Sequence, residues 1–159
     1  MLRPPHHHHH HAHRLIRWQR LALYASGALL LLTGAAWLAI HYGIGAGAGE
    51  LPHPLEAWCL RLHGLAAFAA LFVFGALAAA HIPHGWRLTH RRRWARQRRY
   101  GVLLCVCGAM LVLTGHALYY FAPENVRPAL GWVHAAIGLA MALLVLPHRR
   151  GQRTGTEHR

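Results

Sequence analysis

The chain has 159 residues, of which 55% are hydrophobic and only 13% charged, where an ordinary soluble domain is about a quarter charged. Its net charge of +13 points at first to nucleic acid, but a nucleic-acid binder sets its basic residues along one folded face. Here all 17 basic residues are Arg, and they punctuate long apolar runs, which is the pattern of membrane spans and leaves no room for a separate soluble domain.

In chain order, a basic N-terminal segment occupies residues 1–18 and contains six consecutive His, His6 to His11. Such a run is either a purification tag or a native metal-binding tract. Four uncharged or nearly uncharged runs follow, at about 21–42, 62–86, 100–121 and 129–146. A helix needs roughly 20 residues to cross a hydrocarbon core of about 30 Å. A spanning segment must also satisfy its own backbone, so the runs are helices. The expected fold is all-α: a transmembrane four-helix bundle over residues 19–148, closed by a basic tail at 149–159. No small-residue cleavage site follows a short apolar region, so a processed signal peptide is not expected.

Arginine sets the expected orientation. Four Arg precede the first run, seven lie between the second and third, and four lie in the tail. The other two connections hold only Arg61 and Arg127, together with Glu50, Glu56 and Glu124. Under the positive-inside rule both termini are cytoplasmic, and the seven-Arg loop also attracts anionic lipid. Cysteine carries little: Cys105 and Cys107 point to different sides of one helix, Cys59 stands alone, and no CxxCH signals covalent haem.

The chain repeats itself. LLLLTGAAW (29–37) in the first run matches MLVLTGHAL (110–118) in the third, and LRLHGLAAF (60–68) in the second matches GWVHAAIGL (131–139) in the fourth. Two hairpins of the same orientation are related by an axis along the membrane normal. The repeat therefore makes the second and fourth spans counterparts and sets His63 and His134 at similar depth.

An ionisable residue inside a span is costly and marks function by default. His63 and His81 share one helix face about 27 Å apart, and His134 and His148 lie close to one face about 21 Å apart. Each counterpart helix thus carries one His near each membrane surface, an arrangement that suits two opposed imidazole pairs and two bis-His haems. Small residues leave room for a macrocycle: Ala66, Ala67 and Ala70 follow His63, Gly138 follows His134, and Gly34 and Gly115 stand at matched positions in the other spans. Against this, small residues and His also serve simply to join helices.

These residues resemble a family. His134-x13-His148 is similar to the ligand helix of di-haem cytochrome b membrane subunits, such as those serving respiratory hydrogenases and formate dehydrogenases. His81-x2-His84-x-Trp86 resembles related small four-helix cytochrome-b-like bacterial proteins. RLIRWQRLALYASGALLLLTG (14–34) resembles the opening span of the hydrogenase-type subunits, where a His-Trp pair stands upstream of the ThrGly. Here that pair is Arg17-Trp18. The departure either removes the inner haem or hands its ligation to His81, with His84 as a substitute.

The remaining candidates are secondary. His116 lies about as deep as His63 and His134 and suits a haem edge, a quinone or a helix–helix hydrogen bond. Arg61 and Arg127 suit haem propionates or interfacial anchoring. His41 and His53 fall at the outer surface and are expected to be solvated, and Pro147 is expected to leave His148 beyond the regular helix. The expected function is that of a haem b electron-transfer subunit in a bacterial inner membrane. It would link a quinone pool to a redox partner as part of an oxidoreductase complex, without catalytic residues of its own. A His-based metal-handling protein and a haem-free anchor subunit are the alternatives.

Overall fold

The computed structural model describes the backbone of residues 17–88 and 95–153, and side chains over residues 17–79 and 98–148. Four helices make up nearly all of it: α1 (Arg17–Ile44), α2 (Pro54–Leu88), α3 (Ala95–Tyr120) and α4 (Arg127–Arg153), with one short 3-10 turn at Ala46–Ala48. No strand occurs among the described residues. Each helix contains a stretch long and apolar enough to cross a membrane, at Arg17–Ala48, Pro54–Ala79, Arg98–Tyr120 and Arg127–His148. The all-α four-helix arrangement expected from the sequence is the one observed.

The distribution of burial is the reverse of a soluble core. Large apolar side chains point outward along the middle of the helices, with Leu32 and Leu65 67% exposed, Phe68 75% and Phe72 72%. In water such a surface would aggregate; in lipid it is the solvated face. Polar Ser26, Thr33 and Thr114 are buried instead, beside small Ala66. Between helices in a bilayer, close contact comes from small residues and polar glue, because lipid is as apolar as Leu.

α1 lies along α2 and α3 along α4, and the two hairpins also meet through α1 and α4. Tyr42 stacks on Trp132 across that second contact, with ring centres 5.3 Å apart. Between α2 and α3, the Phe74 ring lies against Gly108.

The helices outrun the apolar runs, and two expectations change as a result. α2 begins at Pro54, eight residues before its apolar run. Pro is pre-organised for the first helical turn, where its missing N–H costs nothing. Glu56 then reaches back to accept from the His53 backbone N–H at 3.0 Å, while the His53 ring accepts from the Leu55 N–H at 3.2 Å. That is a capping box with His as the cap. The early start brings Glu56 beside His41, whose Nδ1 lies 2.8 Å from the carboxylate. The His41 ring also stacks on Trp37 at 4.4 Å. So His41 is half-buried and paired, where a solvated residue was expected. At the other end, α4 continues through Pro147 to Arg153. His148 therefore lies on the helix, where a position beyond it was expected.

Glu56 also accepts from the Ala46 N–H at 3.2 Å. The same carboxylate fills the space that a side chain on Gly45 would need. One buried side chain thus holds the turn 45–53 to the start of α2. Glu56→Ala is expected to speed amide hydrogen exchange at Ala46 and His53 by at least tenfold while leaving α3 and α4 unchanged. Equal protection in both proteins would remove this role.

A candidate paired-histidine site

The repeat becomes geometry at two places. In the first hairpin, Thr33 on α1 is buried and its Oγ1 lies 2.9 Å from Nδ1 of His63 on α2. In the second, Thr114 on α3 is buried and its Oγ1 lies 2.8 Å from Nδ1 of His134 on α4. Each Thr is followed by a Gly that lets the imidazole come close. A methyl on Gly34 would stand 3.4 Å from Cε1 of His63, and a methyl on Gly115 would stand 3.4 Å from Cε1 of His134. The partners are 30 residues apart in the first hairpin and 20 in the second, because α1 runs further past its Thr, α2 starts further before its His, and the connection 45–53 is longer than 121–126.

The two half-sites converge. The rings of His63 and His134 have their centres 6.2 Å apart, at an interplanar angle of 64°. Two imidazoles that share one metal from opposite sides, each with a metal–nitrogen distance of about 2.0–2.1 Å, have ring centres about 6 Å apart. The observed separation is close to that figure, and it is equally the separation of two rings in edge contact. No group of three or more His, Cys, Asp or Glu suited to a metal occurs among the described residues. A bare divalent ion asks the protein for more ligands than two, whereas a haem iron already holds the four nitrogens of its macrocycle and asks only for axial ligands. The residues present thus fit a haem better than a free ion.

The inner candidates divide. His148 sits half-buried on α4, its Cε1 3.8 Å from where a methyl on Gly101 of α3 would be. Gly101 and Gly115 are fourteen residues apart on α3, as are His134 and His148 on α4, so both α4 imidazoles rest against α3 glycines. The His81 and His84 side chains lie outside the described residues. The repeat that pairs His63 with His134 places Leu77 opposite His148, so the twofold relation does not itself supply a second inner ligand.

Other sequence candidates are placed elsewhere. His116 is exposed, and its ring contacts are with Tyr120 and Phe121 at the end of its own helix; the fold does not bring it to the His pair. Gly138 faces Leu111 of α3 and serves helix packing. Ala66 is buried on the α1 side, where it helps line an apolar groove of about 300 Å³ with Ala22, Ser26 and Val73. Ala67 and Ala70 are half-buried. Arg61 is exposed with its guanidinium 5.1 Å over the Trp58 ring. Arg127 donates to the Ala122 carbonyl at 3.1 Å, tying the end of α3 to the start of α4.

In the sequence the ThrGly pairs suggest space for a macrocycle through their glycines alone; the structure adds Thr33 and Thr114 as partners of the His pair. The sequence shows each ThrGly pair preceding its histidine in the same order in both hairpins, but at different spacings, so it marks the pairs without showing the contact.

Comparison with known protein families, curated proteins and solved structures found no match to this chain. The resemblance to di-haem cytochrome b subunits consequently rests on short motifs, and the geometry of the paired histidines is the stronger guide to function.

Proposed function

We propose that this chain is a b-type cytochrome that holds a haem between His63 and His134 and carries electrons within a bilayer. The observation that carries the reading is the 6.2 Å separation of two imidazoles held by matching Thr contacts. When bound, the haem iron supplies one-electron redox chemistry. The chain's part is to present two axial nitrogens, fix their spacing and keep water from them. Thr33 and Thr114 orient the rings, Gly34 and Gly115 give them space, and the outward apolar faces keep the site in lipid.

A second haem is proposed between His148 and His81, about 21 Å further along α4 from His134. Together the two would span much of the membrane between a quinone pool and a redox partner. The proposed location is a bacterial inner membrane with both termini in the cytoplasm. Reporter fusions after Glu124 are expected to read outside, because fifteen of the seventeen Arg fall on the other side; an inside reading there overturns the orientation.

A pyridine haemochrome assay on the purified protein tests the cofactor. Two non-covalent b-type haems per chain are expected. One haem removes the inner site, and none removes the cytochrome reading and favours a haem-free anchor subunit.

A further inference from the structure

The Thr–His contacts determine more than position. A Thr hydroxyl carries one proton and two acceptor lone pairs. Thr33 Oγ1 lies 2.7 Å from the Leu29 carbonyl oxygen and 3.2 Å from that of Leu30. Thr114 Oγ1 lies 2.7 Å from the Met110 carbonyl oxygen and 3.3 Å from that of Leu111. A separation of 2.7 Å is the common length of an O–H···O hydrogen bond. Two oxygens that close with no proton between them would repel, and a carbonyl can only accept. The hydroxyl proton is thus committed to the helix backbone in both hairpins.

What remains toward the imidazole is a Thr lone pair. A lone pair 2.9 Å from Nδ1 of His63, and 2.8 Å from Nδ1 of His134, requires a proton on each Nδ1. A neutral imidazole has only one N–H, so Nε2 is left bare on both rings. Nε2 is also the atom free of the Thr contact.

We propose that Thr33 and Thr114 are positioning residues that fix both histidines as Nδ1–H tautomers and so reserve both Nε2 atoms for one iron. The proposal rests on the haem reading for its purpose, but the tautomer follows from the hydroxyl geometry alone. It has an electronic consequence. An acceptor on the second nitrogen raises the basicity of a ligating imidazole, and a more basic ligand favours the ferric state. Thr33 and Thr114 therefore hold the outer haem at a lower potential than unsupported imidazoles would.

The test compares Thr33→Val, Thr33→Ser and the same pair at Thr114, by potentiometric titration followed in the haem absorption bands. Val keeps the shape of Thr and removes the acceptor; Ser keeps the acceptor. Removal of an outer-shell partner typically costs 10- to 100-fold in metal binding. The ferric-over-ferrous preference of the outer haem is expected to fall about tenfold in each Val variant, which for one electron is an upward shift of about 59 mV. Ser is expected to restore the wild-type value. Loss of haem in Val with retention in Ser supports the same role. An unchanged potential in Val, or a Ser variant that behaves as Val does, overturns it.

If the wild-type protein binds no haem, the cytochrome reading falls by itself. The tautomers are then read directly by long-range 15N NMR of histidine-labelled full-length protein. Protonated Nδ1 on His63 and His134 upholds the Thr assignment, and protonated Nε2 overturns it.

Discussion

His63→Ala and His134→Ala are each expected to lower the haem content from two to one per chain, and the double variant is expected to lose no more than either single one. The reason is that the two imidazoles, 6.2 Å apart between ring centres, serve one iron. Residues that share a partner are not additive, and a cycle of single and double substitutions exposes the sharing. Two independent binding positions would give additive losses. The fold should survive all three substitutions, because both rings are only partly buried and the helices are held by long hairpin contacts. Haem per chain from the pyridine haemochrome, with circular dichroism as a check on helix content, measures the outcome. Retention of both haems by His63→Ala would remove His63 from the site.

The glycines offer a graded version of the same experiment. A methyl on Gly34 or Gly115 would stand 3.4 Å from an imidazole Cε1, which is ordinary van der Waals contact. Gly34→Ala and Gly115→Ala are thus expected to keep the outer haem. Leu at either position must put further atoms where the ring now lies. Overpacking of that kind costs about 1–3 kcal/mol, and swinging the imidazole away is the easiest relief. Gly34→Leu and Gly115→Leu are expected to lose the outer haem and leave the inner one. Absorption spectra of the four purified variants decide between this and a role for the glycines in helix packing alone, for which Leu would unfold the hairpin and take both haems.

The fold was largely legible because a bilayer imposes one rule throughout. Every backbone polar group in lipid must be satisfied internally, so an apolar run of sufficient length has little choice but helix. The ends of the helices were less legible, since they lie where lipid gives way to water and local chemistry takes over. Pro54 and Glu56 start α2 early through a capping box, and that single displacement turned His41 from an expected surface residue into the partner of a buried carboxylate. Pro147 misled in the other direction. A proline removes one hydrogen bond and disfavours helix at the residue before it, yet α4 carries on through it, and His148 keeps its place on the helix.

The site was half legible. The repeat placed His63 and His134 at one depth, and the structure sets their rings beside each other. It could not reveal that Thr33 and Thr114 bind those rings, because Thr in an apolar helix is more often satisfied by its own backbone, as Thr33 and Thr114 both are. In the folded chain the same oxygen does both. Depth alone also left the role of His116 open, and rotation about α3 sets it in an exposed position against Tyr120 and Phe121, apart from the His pair.

The central claim is that His63 and His134 ligate one iron, and low-temperature EPR of two variants tests it most directly. His148→Ala is expected to retain one haem with the low-spin signal of bis-imidazole ligation, since only the inner site is lost. Adding His134→Ala to that protein is expected to abolish the signal. A bis-imidazole signal that survives in the double variant, or that is already absent from His148→Ala, would contradict the claim.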